Sequence, residues 1–127
     1  MVIPKNLYYT KNHLWLRKIG LFDFCIGITD FAQKEIGEID LIEIELEGNS
    51  IKKNEIWGRV YGTNQTFTLI APLDCEIMAT NIALDKSAPH INTNPYDYWF
   101  AMVSVKTFDN TFLSDQEYIK LIQFNDF

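Results

Sequence analysis

Hydrophobic and polar positions alternate in short runs along this chain, and turn residues interrupt every run within a few positions. Leu14 to Lys18 and Leu21 to Ile28 flank Gly20 and read as a hairpin. From Glu38 to Leu46 the apolar phase changes: Ile39 and Leu41 share one phase, and Ile42, Ile44 and Leu46 share the other. Such a change predicts a bulge, or a bend where the strand passes from one sheet to another. The turn clusters Gly48-Asn49-Ser50 and Lys53-Asn54 precede a strand over Glu55 to Tyr61. Strands over Thr66 to Ala71 and near Cys75 to Ala79 follow, separated by a turn at Pro72. Residues 81–97 are rich in Asn, Pro, Asp and Ser and read as a loop, and Tyr98 to Val105 reads as a buried strand.

Two segments carry helix signals. Asp30 is placed to cap a helix over residues 30–36, with Gln33 at capping-box distance and Gly37 at its end. Ser114 and Glu117 form a second capping box, opening a helix over about 115–122 that carries Tyr118, Ile119, Leu121 and Ile122. Many short strands, regular turns and two small helices predict a mainly β fold, a sandwich or barrel with peripheral helices.

Composition narrows the class of function. The chain has 127 residues, enough for a single domain spanning 1–127, and 47% of them are hydrophobic, enough to bury a real core. Net charge is −6, and no Lys/Arg block is longer than a pair such as Lys52-Lys53. That balance argues against nucleic acid or an anionic membrane as partner. The N-terminal residues have no apolar signal region and no run approaches a membrane span, so a cytoplasmic location is expected. Cys25 and Cys75 lie far apart without CxxC spacing and suggest no disulfide framework.

Candidate chemistry is sparse. His13 and His90 have no His, Cys or carboxylate at metal-ligand spacing, so structural roles are expected and no metal site is assigned. Glu43, Glu45 and Glu47 alternate as a solvated strand face does. Asn64-Gln65-Thr66 matches a glycosylation pattern by coincidence only, and no nucleophile elbow, P-loop or dinucleotide fingerprint occurs. No catalytic constellation is present, and the chain is expected not to be an enzyme. The segment Gly58 to Pro72 reads as two strands around a polar tip at Asn64, where Gly62 and Asn64 tolerate positive φ. On the strand entering it, Trp57, Arg59 and Tyr61 share one phase, opposite Ile56, Gly58 and Val60. Trp, Arg and Tyr are enriched in binding hot spots. An outward patch of these three beside Asn64 would bind a partner. The alternative is that Trp57 packs beneath a loop and Arg59 covers apolar surface. Periodicity leaves both readings open.

Several of these segments closely resemble the H protein family of the glycine cleavage system. They are Tyr9-Thr10-Lys11-Asn12-His13-Leu14-Trp15, Gly27-Ile28-Thr29-Asp30-Phe31-Ala32-Gln33 and Gly37-Glu38-Ile39, with Gly58, Ala71-Pro72 and Asn94-Pro95-Tyr96 before Trp99 in support. The resemblance implies a lipoyl-type barrel-sandwich hybrid of two small antiparallel sheets. It also implies a hairpin tip bearing a lysine, within a Glu-Ser-Val-Lys-Ala type motif, to which lipoate is attached. Aligned without gaps from Gly58 to Pro72, that lysine falls on Asn64 and the acidic position before it on Tyr61, and no lysine lies between Lys53 and Lys86. Leu14 stands where the family usually has an acidic residue and Cys75 where it usually has glycine, and the Asn94–Trp99 loop is one residue shorter. The expectation is an H-like protein without lipoate or other cofactor, working as a protein-binding adaptor or regulator through Trp57, Arg59, Tyr61 and Asn64. Its expected partners are glycine-cleavage-type or lipoate-handling enzymes. The alternative expectation is a carrier of aminomethyl or acyl groups that uses a different attachment.

Overall fold

The computed structural model describes residues 1–81, 83–108 and 111–124. Its strands are β1 (Tyr8–Tyr9), β2 (Leu14–Lys18), β3 (Asp23–Ile28), β4 (Ile39–Ile44), β5 (Ser50–Ile51), β6 (Ile56–Gly62), β7 (Thr66–Ile70), β8 (Cys75–Thr80) and β9 (Ala101–Ser104). Helices are α1 (Asp30–Ile36), α2 (Leu84–Thr93) and α3 (Asp115–Phe124), with a 3-10 turn at Pro95–Asp97. Six strands form one sheet in the order β1-β2-β3-β9-β8-β5, and three form another in the order β4-β6-β7. Every strand pair is antiparallel. The architecture is the mainly β, two-sheet barrel-sandwich that the strand pattern and the resemblance both predict.

The larger sheet buries both of its faces around β2 and β3. Leu14, Leu16, Phe24, Ile26 and Ile28 point into the main core, with Trp57, Val60 and Leu69 of the smaller sheet. Trp15 and Cys25 point the other way, into a second cluster with Leu7, Tyr9 and Tyr118 of α3. Leu14, Trp15 and Leu16 are therefore all buried, although a strand's successive side chains face opposite sides. Full burial contributes roughly 1.5–3 kcal/mol per large apolar side chain. Gly27 lies across from Trp15 in the β2–β3 ladder, and a Cβ there would overlap the indole ring.

Three expectations are corrected. Thr29, not Asp30, caps α1: its Oγ1 accepts from the Ala32 N–H at 3.2 Å. Asp30 is the first helical residue, and its carboxylate instead accepts from Gln33 Nε2 at 2.6 Å. Of the segment expected as a loop, residues 84–93 are α2; residue 82 lies outside the described residues. Leu84, Ala88 and Ile91 make a buried stripe at helical spacing, and this burial outweighs the local preference of the polar residues and of Pro89. The strand expected over Tyr98 to Val105 is confined to Ala101–Ser104, and a 3-10 turn at Pro95–Asp97 precedes it. The phase change in β4 is a bulge, a register shift against β6 between Ile39 and Leu41. Both arms of the Ser114/Glu117 capping box form, at 3.0 and 3.2 Å.

Candidate functional site

The turn joining β6 to β7 is Thr63-Asn64-Gln65, and it is fastened to the C-terminal end of α1. An α-helix leaves its last carbonyls without helical partners. Here the turn supplies donors: Asn64 N–H reaches the Ile36 carbonyl at 3.0 Å and Gln65 N–H the same oxygen at 3.4 Å. Gln65 Nε2 donates to the Glu35 carbonyl at 3.0 Å. Thr63 N–H donates to the Glu38 carbonyl at 3.0 Å, and Thr63 Oγ1 accepts from the Glu38 N–H at 3.0 Å. Within the turn, Gly62 N–H donates to the Gln65 carbonyl at 3.2 Å.

Two glycines permit this approach. Gly37 has φ of 84°, in the left-handed region, and a Cβ there would come within 2.5 Å of Thr63 Oγ1 and 2.9 Å of the Asn64 side chain. A Cβ on Gly62 would overlap Ile36 Cγ2 and approach the Ile36 carbonyl oxygen to 2.5 Å. Behind the turn, Asn92 of α2 joins the pieces. Its Nδ2 donates to Gln33 Oε1 and the Gly37 carbonyl, and its Oδ1 accepts from the Ile39 N–H, all between 2.8 and 2.9 Å. Sequence reading passed over Asn92 because a lone Asn in a polar segment carries no signal of its own.

Asn64 is exposed at the tip, as expected. Its carboxamide can donate and accept hydrogen bonds, and its nitrogen lone pair is delocalised into the carbonyl. Arg59 and Tyr61 are half-buried on the outer face of the smaller sheet. Arg59 Nη1 donates to both Glu45 carboxylate oxygens at 2.6 Å, and this pairing holds the guanidinium pKa above its ordinary value. Tyr61 is bonded to the Glu43 carboxylate, the chief reason its phenol is also shifted upward. Leu41, opposite Tyr61 in the ladder, is exposed on the same face.

Trp57 does not join them, which corrects the proposed three-residue face. It is 1% exposed and lies in the main core, while Ile56, grouped by alternation with buried Val60, is 47% exposed. The cause is a second register shift, between Ile56 and Gly58 on β6 against β7, which inverts the phase at that end of the strand. Glycine inside a strand pattern is a signal for such a bulge, so Gly58 could have raised it. The Trp57 Nε1–H has no hydrogen-bond partner among the described residues.

His13 and the cysteines sit away from this surface. His13 is buried and its imidazole pKa is pushed down to about 4 by desolvation. Cys75 is buried and its thiol is pushed up to about 12, mainly by desolvation; Cys25 shifts upward for the same reason. Among the described residues no group of three or more His, Cys, Asp or Glu is placed to hold a metal ion. No helix among them is long and apolar enough to cross a membrane.

A family model described as glycine cleavage H-protein matches residues 7–124. The glycine cleavage system H protein of Chlorobium chlorochromatii is 38% identical over 105 residues, 83% of each chain. That of Prosthecochloris aestuarii is 36% identical over 127 residues, covering 96% of this chain and 98% of its own. The crystal structure of a glycine cleavage system H protein from Mycobacterium marinum matches with a TM-score of 0.83 at 25% identity, over 95% of this chain and 99% of that one. The family match spans both sheets, the fastened tip and α3, and the chain belongs to the glycine cleavage H-protein family.

Proposed function

We propose that this chain is an H-like protein that takes no lipoate and works by binding other proteins, as an adaptor or regulator. The observation that carries this reading is Asn64, exposed at the tip where the resemblance puts a lysine. Lysine offers a nucleophilic amine on a long stem once deprotonated. A carboxamide offers none, and its stem is short. No lysine lies between Lys53 and Lys86 to take over by a shift of register. The partner surface is Asn64 with Arg59 and Tyr61, extended by exposed Leu41, and glycine-cleavage-type or lipoate-handling enzymes are the partners it would meet in the cytoplasm. The chain carries no catalytic group of its own in this reading.

The carrier reading has one observation in its favour. The tip is held by six hydrogen bonds to α1 and its flanks or within the turn, which is the rigid mount a swinging arm would need. It offers no amine, and the Thr63 hydroxyl, which accepts from the Glu38 N–H, is a weak nucleophile with no adjacent base among the described residues. Co-expression with a lipoate ligase and added lipoate, followed by intact-mass measurement, separates the two. The unmodified mass is expected. A lipoyl group on any lysine of the native chain would overturn the adaptor reading.

A further inference from the structure

Two grooves open side by side around β1 and the Tyr9–Leu113 bridge, and Phe112 forms part of the wall of both. The larger, about 650 Å³, is lined by Lys5, Arg17 and Lys18. The smaller, about 350 Å³, is lined by Lys11 and Lys53. These are five of the eleven Lys and Arg residues in a chain whose net charge is −6. One carboxylate, Glu117, lines the grooves among the described residues, and it is committed to the Ser114 N–H, which holds its pKa down. Asp74, beside the smaller groove, accepts from the Lys53 backbone N–H at 2.8 Å. The ion pairs among the described residues, Lys34–Asp30 and Arg59–Glu45, use cations from elsewhere. Among the described residues, none of these five groove cations is in an ion pair, in a chain with seventeen Asp and Glu residues.

The cations are also presented in an ordered way. Arg17 is half-buried, donates to the Tyr96 carbonyl at 3.0 Å and lies 4.8 Å over the Trp15 ring, so its guanidinium is fixed before any ligand arrives. Lys5 and Lys18 are exposed in the same groove, and Lys11 and Lys53 in the other. Lys18 Nζ stands 5.7 Å over Phe108, which stacks on Phe112. We propose that the paired groove is a docking site for an acidic segment of a partner protein, with carboxylates meeting the cations on both sides of Phe112. The cations are distributed along two grooves and do not converge on one point, which suits spaced carboxylates better than a single phosphate. A field of one sign on an otherwise oppositely charged surface steers such a partner and fixes its orientation. Asn54 and Pro72, at the base of the β6–β7 hairpin, line the smaller groove. The seven residues of β6 separate that base from the tip, about 23 Å at 3.3 Å per residue. The inference therefore rests on a different surface from Asn64 and holds for an adaptor or a carrier alike.

The test uses the full chain and a fluorescein-labelled peptide of alternating Glu and Ser, read by fluorescence anisotropy at low and at physiological ionic strength. Binding should weaken with salt. Lys5→Glu with Lys53→Glu, one exposed site in each groove, should weaken it by about tenfold or more. Lys34→Glu with Lys86→Glu, of equal net charge, should change it by no more than about twofold. Equal losses in the two pairs, or no binding by the native chain at low salt, would overturn the proposal. So would tighter binding of a single-stranded oligonucleotide or of anionic vesicles, or a dimer in sedimentation that the groove pair abolishes.

Discussion

Tyr118 on α3 and His13 in the β1–β2 turn are 105 residues apart, and their side chains meet at 2.8 Å, Oη to Nδ1. Tyr118 Oη also lies 2.7 Å from Thr29 Oγ1, and Thr29 accepts from the Ala32 N–H. The direction of the two side-chain bonds follows from the His13 tautomer. With a neutral imidazole whose proton is on Nε2, Tyr118 donates to Nδ1 and accepts from the Thr29 hydroxyl. Tyr118 is further stacked on Tyr9, ring centroids 4.9 Å apart. This one phenol ties the C-terminal helix to the start of α1, whose far end carries the tip.

That relay makes stability depend on pH. The folded imidazole has a pKa of about 4, against about 6.5 when unfolded, so unfolding takes up a proton between those values. Stability from this site is complete above pH 6.5 and is lost as pH falls toward 4, by up to about 3 kcal/mol at roughly 1.4 kcal/mol per pH unit. Protonated Nδ1 would also confront the Tyr118 O–H as a second donor. His13 has φ of 68°, which Asn tolerates better than most residues, so His13→Asn is the suitable comparison. Urea titrations at pH 7 and pH 4.5 should show a smaller pH-dependent loss in the variant than in the native chain.

Gly37 and Gly48 separate backbone strain from crowding. Both have positive φ, 84° and 87°, but a Cβ on Gly48 meets nothing within 4 Å. Gly48→Ala should therefore cost only the left-handed penalty, about 1–2 kcal/mol. Gly37→Ala adds the collision with Thr63 and Asn64 and should cost more, about 3 kcal/mol. Denaturant midpoints check the order. Equal losses would mean that the tip moves away from α1 at little cost.

The two buried tryptophans should respond differently to the same change. Trp15 Nε1 donates to the Pro95 carbonyl at 3.2 Å, whereas Trp57 Nε1 has no partner among the described residues. Substitution by Phe removes similar volume at each site, so the difference isolates the hydrogen bond. Trp15→Phe should be the more destabilising by about 1 kcal/mol. A larger loss at Trp57, measured by thermal or urea unfolding, would indicate a partner such as a buried water for its N–H.

What was legible in the sequence follows from where each signal resides. The β2–β3 and β6–β7 hairpins and the Ser114/Glu117 box depend on residues within a few positions of each other, and these took form as read. The helix at Leu84–Thr93 depends on burial against β4 and the main core, which no local composition reports. Periodicity left Trp57 open between an outward face and a packed one, because alternation carried unbroken through Gly58 groups it with Arg59 and Tyr61, and one bulge separates them. The paired groove was invisible because Lys5, Lys11, the pair Arg17-Lys18 and Lys53 are dispersed in sequence, and no basic block exceeds two residues. The identity and exposure of Asn64, by contrast, needed only the hairpin to be recognised.

Asn64→Lys reverses the difference on which the proposed function rests. The substitution adds an exposed amine and leaves the backbone bonds of the tip in place, because Asn64 is held through its N–H to Ile36. Folding should be affected by no more than about 0.5 kcal/mol. The new amine stands near Tyr61 and Gly62, not near the acidic and small polar residues that the resemblance implies at those positions. A lipoate ligase should therefore modify the single variant slowly and in part. Adding Tyr61→Glu should raise the yield, although Glu43 beside that position opposes a second carboxylate and limits the gain. Intact mass after timed incubation with ligase measures both variants, and glycine-cleavage activity with purified partner enzymes then measures use of the arm. Activity should stay low even for a fully modified chain, since Leu14 and the Asn94–Trp99 loop also depart from the family pattern. Full modification and full activity from Asn64→Lys alone would mean that only the attachment point differs, and the adaptor reading would fail.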